Sequence, residues 1–131
     1  MSEENVELLH RPVDAINADD VPRDLLTDDF ELKNATTAVT DATYHGYDGA
    51  LRWRSDLFDV VDDGRFRVHE ILATGSDYVA FANSVVGRGR LSGAPVELTW
   101  ASVIWFREGR IARAEGYNSR HAALEAVGRA D

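Results

Sequence analysis

The amino-acid sequence predicts an α+β domain in which helices pack against one face of a curved antiparallel sheet. Apolar residues recur at helical spacing in the first 61 positions, whereas the segment from 65 to 117 contains four strand patterns. Glycine-containing turn dipeptides separate these strands, as expected of a meander. A chain of 131 residues is long enough to bury one core, so we assign residues 1–131 to a single domain.

An opening helix is predicted by apolar residues three and four positions apart, namely Val6, Leu9, Val13 and Ile16. Pro12 lies inside this pattern. Because proline lacks a backbone donor and clashes with the preceding turn, we expect a kink between residues 8 and 12. A short second helix is then expected, capped by Asp19 or Asp20, with Pro22 in its first turn and its end near Leu26.

The middle of the chain contains a short strand candidate over residues 30–33 and then a segment without useful period. This segment, 34–45, is rich in threonine and small residues, and we expect a loop that is long enough to act as a lid. A third helix follows, because one helical face collects Ala50, Trp53, Leu57 and Val60 or Val61. The Asp-Asp-Gly run at 62–64 is expected to end that helix.

Four strands and a final helix complete the predicted domain. The strands are expected over 65–74, 77–90, 95–107 and 110–117. Turns are predicted at Gly75-Ser76, Ser92-Gly93 and Glu108-Gly109. The last helix is expected from 119 to 127, with Gly128 just past its end.

The composition excludes several classes of site and partner. The chain has no cysteine, and its four histidines form no HxxxH or HExxH pair, so we expect no metal and no cofactor. A net charge of −9 repels nucleic-acid phosphates and anionic lipid, so neither nucleic acid nor a membrane is an expected partner. The acidic start, MSEENVELL, lacks the features of a signal peptide, and we expect a cytoplasmic protein.

Three segments of the chain show a family likeness: ENVELLHRPVDAINADD near the start, TYHGYDGALRWRSDLF at the third helix, and VIWFREGRIARAEGY at the closing hairpin. Together with the order of the elements, they resemble the NTF2-like superfamily, and most closely its SnoaL-like branch. The resemblance covers nearly the whole chain. It implies a cystatin-like, NTF2-like cone in which helices cover the concave face of the sheet and a pocket lies between them.

Strand alternation divides the sheet residues into two sets, because successive side chains point to opposite faces. The resemblance assigns to the concave face the set Ala80, Ala82, Ser84, Val86, Arg88, Trp100, Ser102, Ile104, Ala112, Ala114, Gly116 and Asn118. The small residues of this set either let the helices pack closely or leave volume for a ligand. The ligand-binding candidates are Trp53, Ser84, Arg88, Trp100, Ser102 and Asn118. An alternative role for Asn118 is to cap the last helix.

The opposite set of sheet residues is too apolar for a face in contact with water. Val103, Trp105, Phe81 and Tyr117 together would form an exposed patch of a kind that monomers rarely carry. We therefore predict a homodimer through this outer face. The family resemblance supports the same arrangement.

Catalytic candidates are few. In enzymes of the ketosteroid isomerase kind, a tyrosine and two carboxylic acids do the chemistry, and the resemblance places those positions on Pro12, on Lys33 or Asn34, and on Ser102. None of these side chains can replace the missing groups, so we expect no isomerase of that design. Other acid or base candidates near the expected pocket mouth are Asp56, His45 and Asp41.

Three functions remain open from the sequence. The first is a cofactor-independent enzyme, of isomerase, cyclase or hydrolase type, that acts on a small, mainly apolar metabolite through Asp56 or His45. The second is a noncatalytic protein that binds such a molecule. The third is a dimeric interaction module whose cone is filled by its own side chains. The first two require a cavity on the order of several hundred cubic ångströms, which the third forbids.

Overall fold

A computed structural model describes residues 6–34, 43–59 and 61–128. The helices are α1 (His10–Ala18), α2 (Gly46–Phe58) and α3 (Arg120–Ala126), with a 3-10 turn at Arg23–Leu25. The strands are β1 (Leu26–Asn34), β2 (Thr43–His45), β3 (Val61–Thr74), β4 (Tyr78–Gly89), β5 (Pro95–Arg107) and β6 (Arg110–Tyr117). Most of the loop expected over residues 34–45, including Asp41, lies outside the described residues. No described helix is both long enough and apolar enough to cross a membrane.

The six strands form one curved sheet in the order β2-β1-β6-β5-β4-β3. Neighbouring strands are antiparallel except for β1 and β6, which run parallel. Helices α1 and α2 contribute to the large apolar cluster on the concave face, whereas α3 packs on the opposite, outer face. The predicted α+β fold with helices on a curved sheet is thus confirmed, and we call the space between the concave face and α1 and α2 the cone.

The N-terminal half differs from the prediction at its element ends. Helical backbone is interrupted at Leu9, within the range expected for a kink. Asp19 closes α1 in a left-handed conformation (φ 56°) instead of capping a second helix. Pro22, expected in the first turn of that helix, is the residue before the short 3-10 turn. Strand β1 begins at Leu26, four residues before the predicted start at residue 30. The predicted second helix is only a three-residue 3-10 turn, and the strand follows it directly.

The Asp-Asp-Gly run that was expected to end the third helix lies instead inside β3. Helix α2 ends at Phe58, and Asp63 takes a positive φ of 55° where the register of β3 against β4 shifts. Gly64 is required by packing, since a Cβ there would lie 2.3 Å from Cδ1 of Phe58. The glycine therefore allows the helix end to approach the strand closely.

Helix α1 is attached to the sheet by one asparagine. Asn17 donates from Nδ2 to the Phe66 carbonyl oxygen at 3.0 Å, and its Oδ1 accepts from the Phe66 backbone N–H at 2.8 Å. Strand β3 is an edge strand, so these two bonds satisfy backbone groups that have no neighbouring strand on that side. The amide thereby fixes α1 over the cone.

Strand β4 faces the opposite way from the sequence prediction. Directly opposite residues of an antiparallel pair share a face, and Phe81 lies opposite Ser102 while Asn83 lies opposite Trp100. The concave face of β4 is therefore formed by Phe81, Asn83 and Val85, and the set containing Ser84 and Arg88 lies on the outer face. A one-residue change of register moves every side chain of a strand to the other face.

The C-terminal helix covers part of the outer face within one chain. Ala123 of α3 is fully buried against a cluster that contains Ala80, Ala101, Val103 and Tyr117. Val103 and Tyr117 are therefore buried without a second subunit, and Phe81 lies on the concave face. Dimerisation through the outer face stays a prediction, limited to the surface that α3 leaves open around the half-buried Trp105.

Candidate functional site

The cone contains a cavity of about 90 Å³. Its wall is formed by α1, α2, the segment 21–32 and strands β3 to β6. Five aromatic side chains line it and take up much of the cone: Phe30, Trp53, Phe66, Phe81 and Trp100. These rings explain why the cavity is smaller than the several hundred cubic ångströms expected for an enzyme or binding protein.

Among the described residues that line the cavity, three besides the tryptophans are polar: Arg54, Ser102 and Glu115. Arg54 is held by other groups, since its Nε donates to the Ile16 carbonyl oxygen at 2.7 Å and its guanidinium pairs with Asp19 at 3.2 Å. Its guanidinium also lies 4.5 Å from the centre of the Phe58 ring. Arg54 thus holds the end of α1 against α2 and has a structural role at the cavity wall.

Glu115 borders the cavity, but its carboxylate lies with outer-face residues. Arg113 Nε donates to Glu115 at 2.8 Å, and the Tyr117 hydroxyl donates to the other carboxylate oxygen. Strand alternation puts these three side chains on the same face, opposite to Ala114 and Gly116. Burial, followed by the hydrogen bond and charge of Glu115, raises the pKa of Tyr117.

This raised pKa predicts a loss of stability in base. Tyr117 keeps its proton in the folded protein at a pH where the unfolded chain, with a tyrosine pKa near 10, has released it. The contribution is complete below about pH 10 and is lost as the pH rises toward the folded pKa. We expect the unfolding free energy of the wild type to fall more steeply between pH 9.5 and 11 than that of Tyr117→Phe, as measured by urea titrations. Equal slopes would contradict the assignment.

Ser102 is paired with a buried amide that the sequence analysis did not select. The Ser102 hydroxyl donates to Oδ1 of Asn83 at 2.7 Å. Asn83 is fully buried, and its Nδ2 has no hydrogen-bond partner among the described residues. A buried amide donor without a partner costs about 1–3 kcal/mol. The pair is therefore incompletely satisfied, and of its two members Ser102 lines the cavity.

The structure brings half of the predicted ligand-binding residues together. Trp53, Trp100 and Ser102 line the cavity as expected. Ser84, Arg88 and Asn118 do not line it. Ser84 and Arg88 point to the outer face because of the reversed phase of β4, and Ser84 Oγ lies 2.6 Å from Nε2 of His69.

Asn118 lies beyond β6 and is exposed. The alternative role proposed for it, capping the last helix, is carried out by the next residue. Ser119 is the N-cap of α3, and its hydroxyl accepts from the Ala122 backbone N–H at 3.0 Å. The Asn118 side chain therefore does not line the cavity, and Ser119 is the residue that caps α3.

The two catalytic candidates, His45 and Asp56, lie away from the cavity. His45 precedes α2 with a side chain that is 70% exposed, 3.5 Å from Glu31. Asp56 is exposed and accepts a hydrogen bond from the Tyr44 hydroxyl at 2.8 Å. Burial of Tyr44, with this bond to Asp56, raises the pKa of Tyr44. Catalysis by His45 or Asp56 stays a prediction. Their position away from the cavity does not favour it.

Metal binding has no support in the described part of the chain. Within residues 6–34, 43–59 and 61–128, no three histidine, aspartate or glutamate side chains lie together as ligands for an ion. The acidic residues instead form pairs with arginine on the surface, such as Asp29 with Arg107 and Asp24 with Arg11. The described cavity wall is mainly apolar, and its neutral polar side chain apart from the tryptophans is Ser102.

Solved structures of low sequence identity share this fold. A candidate SnoaL-like polyketide cyclase from a Jannaschia species is 18% identical, with a TM-score of 0.70 over 88% of this chain and 85% of that one. A Catenulispora acidiphila protein of ketosteroid isomerase-like fold, in complex with trimethylamine, is 17% identical (TM-score 0.68; 91% and 90% covered). A candidate polyketide cyclase from Sinorhizobium meliloti is 22% identical (TM-score 0.63; 88% and 98% covered).

The family assignment comes from the sequence itself. No curated protein matches the chain. The family model described as the SnoaL-like domain matches residues 9–114, from the start of α1 into β6. The match includes all residues that line the cavity except Glu115 and Gly116. The chain therefore belongs to the family of SnoaL-like domains and has their NTF2-like fold.

Proposed function

We propose that this protein binds a small, mainly apolar organic molecule in the cavity of the cone. The observation that carries the proposal is the cavity itself, a volume of about 90 Å³ with a wall that is apolar except for Arg54, Ser102 and Glu115. Since Arg54 is paired and the Glu115 carboxylate lies on the outer face, Ser102 is the polar group best placed to meet a ligand.

The energetics support binding. Protein interiors are packed as densely as organic crystals, and an empty volume removes van der Waals contacts from its lining. At about 24 cal/mol per Å³, a cavity of 90 Å³ costs about 2 kcal/mol when empty. A ligand that fills it recovers these contacts without having to form the cavity first. Apolar cavities of this kind stay dry, so water is a poor substitute.

The volume also limits the ligand. A cavity of about 150 Å³ in another protein binds benzene, which has six heavy atoms, so about 90 Å³ corresponds to a molecule of roughly four heavy atoms. The complex of the Catenulispora acidiphila protein with trimethylamine supports a small ligand for this fold. A multi-ring substrate does not fit this volume, and so the two cyclase relatives do not suggest the substrate.

Binding without catalysis is better supported than the enzyme alternative. A general acid or base must be within hydrogen-bond reach of the reacting atoms. Among the described residues, the ionisable groups at the wall are Arg54, which is paired, and Glu115, whose carboxylate points away. The large aromatic residues favour the filled-cone alternative, but they leave the cavity described above unfilled.

Filling the cavity tests the proposal. Ala114 lines the cavity on β6, so Ala114→Leu should occupy much of the space and weaken the binding of isobutane, a four-carbon probe, by at least about tenfold. Ala126→Leu makes the same change at an exposed site on α3 and should leave binding unchanged. Chemical shifts of wall residues in NMR titrations measure both affinities. No binding of the probe to the wild type would overturn the proposal.

A further inference from the structure

We infer that the ligand of the cavity carries one neutral hydrogen-bond donor, an O–H or N–H group, which the hydroxyl oxygen of Ser102 accepts. The inference rests on the proposed function and deepens it, since it names the chemistry that Ser102 recognises. Its basis is the place of the Ser102 hydroxyl proton, which is held by the hydrogen bond to Asn83.

Ser102 is the member of the Asn83–Ser102 pair that a ligand contacts. It lines the cavity from the concave face of β5, where it lies opposite Phe81 of β4. Asn83 is fully buried and does not line the cavity, so it acts on a ligand only through Ser102. The amide is therefore a positioning group, and the contact with the ligand belongs to Ser102.

The hydrogen bond between the two side chains decides which role is left to Ser102. Oγ of Ser102 lies 2.7 Å from Oδ1 of Asn83, and the proton between these two oxygens is that of the serine, because a carboxamide oxygen only accepts. A serine hydroxyl has one proton and two lone pairs. Because the proton is used on Asn83, Ser102 presents lone pairs to the cavity and no donor.

This one-sided polarity distinguishes between classes of small ligand. An alcohol, or a neutral molecule with an N–H group, donates to the free lone pair of Ser102. A ketone or an ether only accepts, and its oxygen would meet another acceptor at this point of the wall. A charged donor such as an ammonium group would lose its hydration in this mainly apolar cavity. A hydrocarbon fills the same space without the additional bond.

Three probes of four heavy atoms each, isopropanol, acetone and isobutane, test the inference because they have nearly the same size. Isopropanol donates and accepts, acetone only accepts, and isobutane does neither. NMR titrations of the full chain measure each affinity for the wild type and for Ser102→Ala. Relative to isobutane, the substitution should weaken isopropanol binding about fivefold, the equivalent of one hydrogen bond, and change acetone binding less than about twofold.

A second variant tests the part played by Asn83. Asn83→Leu keeps a side chain of similar size but removes the oxygen that holds the serine proton, so that Ser102 donates into the cavity. Acetone binding should then strengthen about fivefold relative to isobutane, a gain that a simple loss of stability does not produce. The matched control is Ser84→Ala, which removes a fully buried hydroxyl on the outer face of β4 and should leave the relative affinities unchanged.

The wild type alone provides a further readout. In a crystal structure with isopropanol, the oxygen of the alcohol should lie about 2.5–3.0 Å from Oγ of Ser102. This measurement decides the question even if neither variant folds.

The outcomes separate this inference from the proposed function. Failure of isobutane to bind the wild type would overturn the proposed function and this inference with it. If isobutane binds, three results overturn the donor requirement alone: isopropanol does not bind, its oxygen lies away from Ser102, or Ser102→Ala weakens acetone as much as isopropanol. Selective loss of isopropanol affinity in Ser102→Ala, together with the contact in the crystal, supports both.

Discussion

Phe81→Ala is expected to lower the free energy of unfolding by about 3–5 kcal/mol. Phe81 is 2% exposed, lies on the concave face of β4 opposite Ser102, and lines the cavity. Removal of its ring takes away buried apolar surface and enlarges a cavity that is already present, so the surrounding residues have little opportunity to fill the space. Urea denaturation followed by circular dichroism measures the change.

The control for this substitution is Leu91→Ala in the turn between β4 and β5. Leu91 is fully exposed, and its removal should change the unfolding free energy by less than about 0.5 kcal/mol. A loss below about 1 kcal/mol for Phe81→Ala would contradict the burial of this ring. The larger cavity of the variant should also bind benzene, which would recover part of the lost stability.

The orientation of β4 shows why the sequence alone predicts the strands of this sheet better than their faces. The ends of β5 and β6 agree with the predicted ranges, since turn dipeptides and flanking charges mark them. The run from Val79 to Val85, in contrast, is buried on both faces, because the cone covers one side and α3 covers part of the other. A strand buried on both sides lacks the apolar and polar alternation that reveals its phase.

The candidate site is predictable from the sequence only in part, because the phase of β5 is predicted correctly and the phase of β4 is not. Trp100 and Ser102 lie on β5, where alternation was read in the correct phase, and both line the cavity. Ser84 and Arg88 were misplaced with β4, and Asn83, their neighbour, was missed. The sequence carries one signal of its buried hydrogen bond, because an asparagine within the apolar run VAFANSVV must find partners inside the protein. His45 and Asp56 are predicted from their residue type and from their place near the expected pocket mouth, and neither feature fixes the direction of a side chain.

Ala123→Asp is expected to lower the free energy of unfolding by about 3–5 kcal/mol, because it introduces an uncompensated charge into a buried apolar contact. Ala123 is fully buried where α3 packs on β4, β5 and β6, among Ala80, Ala101 and Val103. Thermal and urea denaturation provide the measurement.

The matched control is Ala126→Asp, the same substitution at an exposed position in the last turn of α3. An acidic residue there is disfavoured by the helix dipole, and the expected loss is below about 1 kcal/mol. Equal, small losses for both variants would mean that α3 does not stay packed on the sheet, so that Val103 and Tyr117 become exposed. The outer face would then regain the apolar surface from which a homodimer was predicted, and sedimentation at micromolar concentration would reveal the dimer. A large loss for Ala123→Asp alone means instead that the chain covers this part of its outer face itself.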